Sequence, residues 1–263
     1  MAVQSDPELR PASLGDAAAT AAREARTEAP EARAHLPLIE AAGDAIVEAA
    51  VERKPSWRGW IHAGTAPLAL AAGIVLISLA DGAVAKIASA VFMTSSLLLF
   101  GVSAVYHRFH WSERVRLVLK RLDHANIFLL IAGTYTPIAL LTLEPPKATL
   151  LLSCVWGGAM LGIAFRVFWI TAPRWLYVPL YLALGWAAVA FLGDIWAANA
   201  ATTILVAVGG LAYTAGAIVY GLKRPNPFPG HFGFHEIFHV CTVVAFLCHW
   251  TAVLLVAIDP PLA

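Results

Sequence analysis

HEIFHVCTVVAFLCHWTAVLLVA, residues 235–257, is the stretch whose reading decides the fold. Beyond its first turn it is apolar to its end. About 20 such residues are needed to cross the hydrocarbon core of a bilayer as a helix. Two histidines, His235 and His239, stand four apart at its mouth. Residues at that spacing share a helix face. An ionisable side chain at membrane depth is expensive and marks function more often than packing.

Similar runs recur along the chain, at about 60–80, 84–106, 122–143, 148–169, 175–193 and 202–222, the fourth and fifth of the seven without sharp boundaries. Hydrophobic residues make up 59% of the 263, charged residues 13%, and mean hydropathy is +0.71. That is a membrane protein's composition. The runs are continuous and not alternating, which excludes a β-barrel. The fold class is therefore all-α integral membrane, a seven-transmembrane helix bundle. A net charge of +1 carries no nucleic-acid signature. Cys154, Cys241 and Cys248 fall inside spans without CxxC spacing, so they read as small packing residues.

The basic residues orient the bundle. Arg53, Lys54 and Arg58 precede span one. Arg108, Arg114, Arg116, Lys120 and Arg121 fill the 2–3 loop, Arg166 and Arg174 the 4–5 region, and Lys223 and Arg224 the 6–7 loop. Lys86 and Lys147 are alone on the other side. The positive-inside rule puts the N-terminus in the cytoplasm and the C-terminus outside. Trp57, Trp60, Trp169, Trp175 and Trp196 flank spans as interfacial aromatics do.

Two regions divide the chain. Residues 1–54 form a cytoplasmic tail with no signal-peptide h-region. It is disordered over 1–34, where Ala, Glu, Arg and Pro dominate, and carries a weak amphipathic pattern over 37–53. Residues 55–260 are the membrane domain. In its 2–3 loop, Ser112 suits a helix N-cap and Glu113 the positive end of the dipole, and an amphipathic turn or two feeds into span three.

Orientation then tests whether the polar residues can meet. His107 closes span two, with Ser103 one turn before it. Asp123 opens span three, and His235 and His239 open span seven. Even spans run inward and odd spans outward, so all five are expected at one cytoplasmic depth. Three imidazoles leaving one position open are the ligand set of a catalytic zinc, which acidifies a bound water. Asp123 would orient that water or shuttle its proton, and Ser103 would hydrogen-bond the water, a ligand histidine or a substrate carbonyl. The plainer alternative pairs His107 with Asp123, or either with loop arginines, as a structural cluster. HEIFH also fits a zincin, with Glu236 as general base, but the only later carboxylate, Asp259, lies at the other face. His249 sits about 15 Å beyond His239 at ~1.5 Å per residue, so it can line a cavity but not share an ion. His124 is read as pointing away from Asp123's face, His231 as a solvated loop residue, and His35, His62 and His110 have no special claim. Thr134, Tyr135 and Thr136 are read as satisfying backbone near Pro137.

SAVYH at 103–107, LDHANIFLLIAGTYTP at 122–137 and HEIFH at 235–239 resemble one family, the hemolysin III group of bacterial membrane proteins, relatives of the progestin and adipoQ receptors. The resemblance covers about residues 55–257. It implies a seven-helix bundle with a cytoplasmic N-terminus in the bacterial inner (plasma) membrane. It also implies a zinc held by His107, His235 and His239, with Asp123 contacting the water and Ser103 beside it. Its wider relatives include lipid-amide hydrolases. By analogy the chain is a zinc-dependent hydrolase of lipid amide or ester bonds contributing to membrane homeostasis, with membrane lipids as partners. The alternative is a non-enzymatic receptor, sensor or pore with a structural zinc. Substrate and oligomeric state are left open.

Overall fold

A computed structural model of the chain describes residues 55–262. The expected disordered tail and the amphipathic stretch over 37–53 lie outside the described residues. Seven helical segments are long and apolar enough to cross a membrane. They are α1 (Trp60–Leu79), α2 (Gly82–Arg108), α3 (Glu113–Thr142), α4 (Pro145–Phe168), a broken fifth segment, α7 (Ala200–Leu222) and α8 (Phe234–Ile258). The fifth segment, Arg174–Ala198, consists of α5 (Arg174–Gly185), a 3₁₀ turn (Ala187–Phe191) and α6 (Leu192–Ala198).

Exposure follows the membrane reading. Large apolar side chains stand on the outer surface, Leu161 at 75% and Phe168 at 87% exposed. In water such a surface would drive aggregation; in lipid it is the solvated face. The flanking Trp57, Trp60, Trp169, Trp175 and Trp196 are all exposed. The guanidinium of Arg108 lies 4.1 Å from the Trp60 ring centre.

α3 is the central helix. Its most apolar stretch is 78% buried, against 22% for α1, and it packs on α2, α4, α5, α6 and α8. Its first turn carries Glu113, with Ser112 at the N-cap position, although the Ser112 side chain makes no capping bond. The amphipathic turns expected before span three are continuous with it, in one 30-residue helix. Pro145 opens α4 at a position where its missing N–H has no helical partner to lose. α7 and α8 pack along their length. A Cβ on Gly209 would run into the ring of His249, and one on Gly216 would lie 2.8 Å from the Cβ of Cys241. The three cysteines are free.

The break in the fifth segment has a definite chemistry. The Tyr135 hydroxyl, from α3, donates to the carbonyl of Gly185 at 2.6 Å and accepts from the Ala188 N–H at 3.0 Å. One phenol thus serves two backbone groups at the interruption, which the helix itself leaves without partners. Tyr135 therefore serves the backbone of another helix, not that near Pro137. Thr134 and Thr136 donate to the carbonyls of Leu130 and Ala132, one turn back on their own helix.

Candidate metal centre

α2 ends at Arg108, which places His107 in its last turn and Ser103 one turn earlier on the same face. α8 begins at Phe234, so His235 and His239 occupy its first two turns. Asp123 lies on α3 beside them. One nitrogen from each of His107, His235 and His239 lies within 4.8 Å of the other two. His107 and His239 are buried, and His235 is partly so. His107 Nε2 is 3.3 Å from His235 Nε2 and 3.8 Å from Asp123 Oδ2. Ser103 and Asp123 line the same cavity. All five residues expected at one depth are at one end of the bundle.

The donor set suits a metal ion. Ligands about 2.0–2.1 Å from a tetrahedral zinc stand about 3.3 Å from one another. The His107–His235 nitrogen pair has that separation. Two neutral imidazoles so close can share a proton or a cation. His239 also has a ring nitrogen, Nδ1, that is buried without a hydrogen bond among the described residues. Three histidines of this chain can hold a metal ion.

The start of α8 is fixed by contacts both near and far in sequence. Asn226 Oδ1 accepts from the Phe234 N–H at 3.0 Å. Glu236 Oε2 accepts from the Gly233 N–H at 2.9 Å, the reach-back half of a capping box. The other oxygen, Oε1, pairs with Arg58 Nε at 2.7 Å, with the Glu236 side chain fully buried. Both oxygens of Glu236 are engaged in holding the helix, which leaves the zincin assignment of a free general base without support. Backbone bonds from Ser56 to Gly230 and from Trp57 to His231 tie the turn before α1 to the 6–7 loop. His231 is bound there by Ser56 Oγ at 3.0 Å. Gly59 closes this turn at φ 82°, where a Cβ would lie 2.8 Å from that of His107. Only glycine combines that backbone with that proximity.

Two histidines occupy places the sequence reading did not give them. His62 is buried and stacks on His239, with centroids 3.8 Å apart and planes 11° from parallel. The depth argument applied to His107 and Asp123 could have found it, since His62 sits in the first turn of an outward-running span. His124 does not point away from the site. It lines the same cavity as Asp123, with its Nδ1 taken by Arg166.

That cavity has a volume of about 130 Å³. Ser103, Asp123, His235 and His239 line one end, and Ile127, Leu130, Ile131 and Leu182 help form its walls. Tyr213 and His249 line it farther along. From His235 to His249 is about 21 Å along α8 at ~1.5 Å per residue. His249 therefore lines the cavity at a distance from the histidine cluster, as its spacing requires. Thr242 also lines it, while Phe246 is buried in the core. The space is long, narrow and mostly apolar, with Asp123 and the histidine cluster at one end and Tyr213 and His249 farther along.

A model of the family described as Haemolysin-III related matches residues 51–250. The chain belongs to the haemolysin III family. Haemolysin III relatives include Hemolysin-3 of Bacillus cereus, 33% identical over 184 residues, which are 68% of this chain and 80% of that protein. Hemolysin-3 homolog of Bacillus subtilis (strain 168) is 33% identical over 150 residues, 57% of this chain and 67% of that protein. Heptahelical transmembrane protein ADIPOR2 of Oryza sativa subsp. japonica is 31% identical over 181 residues, 62% of this chain and 79% of that protein. The last match extends the haemolysin III likeness to the progestin and adipoQ receptor superfamily. With its seven apolar helices, this haemolysin III protein is a multi-pass plasma-membrane protein.

Proposed function

We propose that the protein is a zinc-dependent hydrolase acting on an amide or ester bond of a membrane lipid. The reading is carried by one arrangement: three imidazoles within 4.8 Å of one another, Asp123 at 3.8 Å from His107, and a narrow apolar cavity leading away from them. His107, His235 and His239 would hold the zinc. Nitrogen donors from three histidines suit that ion and leave a position for water or substrate. A zinc held there lowers the pKa of water toward neutrality and polarises a carbonyl.

The chain's own groups account for the remaining chemistry. Among the described residues Asp123 is the only carboxylate lining the cavity, and it would serve as the proton acceptor. Ser103, which lines the cavity with it, would hold its carboxylate in place. The walls contributed by α3 and α5 take up an apolar chain and exclude bulk water. Orientation by basic loops sets this end of the bundle toward the cytoplasm, so a cut lipid would release its polar part there.

Metal analysis of the purified protein, paired with lipid analysis of membranes carrying wild type or His107→Ala, tests the reading. Zinc near one equivalent and a lipid amide or ester that accumulates in the variant are expected. An Asp123→Ala protein that keeps its fold and leaves lipid turnover unchanged would defeat it. The name hemolysin borne by the Bacillus relatives favours a second reading, a pore. Flux through liposomes that persists after removal of all three histidines would establish that one instead.

A further inference from the structure

Arg166 is the largest fully buried side chain among the described residues, 1% exposed, on a helix that spans the membrane. Among the described residues no carboxylate lies within ion-pair distance of it. Its neighbours are neutral or polarisable: His124 Nδ1 at 2.6 Å from Nη2, the Trp169 carbonyl at 3.4 Å from Nη1, and the Tyr177 ring with its centre 4.2 Å from the guanidinium carbon. A guanidinium has only donors and stays protonated. The nitrogen it meets at 2.6 Å must therefore be an acceptor, with no hydrogen of its own. His124 Nδ1 then carries the lone pair, and its one ring proton sits on Nε2.

That assignment gives the ring a direction. His124 is adjacent to Asp123 and lines the same cavity. Its backbone carbonyl is held by the Tyr181 hydroxyl at 3.2 Å. With Nδ1 committed to Arg166, the free hydrogen-bonding atom is Nε2–H, a donor polarised by the cation behind it. Of the other polar groups at this end, the Asp123 carboxylate and the histidine lone pairs are acceptors, and the Ser103 hydroxyl is a donor. A carbonyl arriving beside them needs a donor.

We propose that His124, fixed by Arg166 as the Nε2–H tautomer, donates the hydrogen bond by which the cavity holds the acyl carbonyl oxygen of its lipid ligand. The ligand class rests on the hydrolase reading; the tautomer does not. Arg166 acts through His124 and is a positioning residue. The pair supplies a donor without placing a formal charge in the cavity, where desolvating one is costly.

The test uses the full chain in lipid nanodiscs, labelled with ¹⁵N-histidine, and palmitamide as the probe. The His124 signals, assigned by their loss in His124→Gln, are expected to show an unprotonated Nδ1 and a protonated Nε2. Arg166→Leu should mix the two tautomers, and Arg166→Lys should restore the single one. Palmitamide should shift the Nε2 signal. His124→Phe should weaken its binding roughly tenfold, the worth of one good hydrogen bond, and His124→Gln should recover much of that. Metal content identifies variants that remain folded. A wild-type His124 carrying its proton on Nδ1, or on both nitrogens, overturns the proposal. So does palmitamide affinity indifferent to His124→Phe. Palmitamide bound through His124 but never cleaved keeps the donor and removes the hydrolase.

Discussion

His62 lies flat against His239, ring on ring, at 3.8 Å between centroids. Phe100 also meets His62 edge-on, at 5.1 Å between centroids. A candidate ligand on the last helix is thereby held in place by the first, and neither contact is visible in the local sequence of either.

Removing that support should loosen the metal without removing a ligand. His62→Ala is expected to weaken zinc binding roughly 10- to 100-fold, as the loss of groups that orient a ligand does. His62→Phe, which can still stack, should lose much less. Competition with a chromogenic chelator measures both. Equal affinities for the two variants would show that stacking plays no part.

Asp123→Asn preserves shape and removes the proton acceptor. Zinc content is expected to stay at the wild-type level while lipid turnover falls roughly 10²- to 10⁴-fold, the usual share of general-base catalysis. A parallel loss of zinc would instead place Asp123 among the ligands, a role its 3.8 Å approach to His107 does not itself exclude.

Glu236 separates the two enzyme readings. Its oxygens hold Arg58 and the first turn of α8. Glu236→Ala should therefore lower unfolding stability by about 2–4 kcal/mol, toward the lower end because the Arg58 side chain is 21% exposed. Thermal melts in detergent measure this. A variant of unchanged melting temperature that binds zinc but has lost all turnover would revive the zincin assignment.

Tyr135→Phe removes one hydroxyl and leaves two backbone groups at the break in the fifth segment unserved. Each buried orphan costs roughly 1–3 kcal/mol. Hydrogen exchange should rise at Ala188 and its neighbours in the 3₁₀ turn and hardly change in α7. Unaltered protection there would mean that the break is held by packing alone.

How much of this was legible in the sequence depended on the range of the interaction. Hydropathy is a property of contiguous residues, so the spans could be counted and their direction alternated. That alternation alone put His107, Asp123, His235 and His239 at one depth. Contacts between distant segments left no such trace. Arg58 and Glu236 are 178 positions apart, and nothing near HEIFH says that its glutamate is already occupied. The fifth run reads as one apolar stretch because the phenol that serves its interruption is on α3. The direction of His124 was not legible because a helical wheel ranks faces relative to Asp123 and says nothing of the Arg166 and Tyr181 side chains that meet His124 from α4 and α5. Near α3, pointing away from one group means pointing at another.

His107 closes one helix and His235 opens another, 128 positions later. A nascent chain that has not yet threaded Phe234–Ile258 into the bilayer offers one of the three nitrogens. On the proposed reading, tight ion capture would await the final insertion, and loading with metal would double as a record that membrane assembly has been completed.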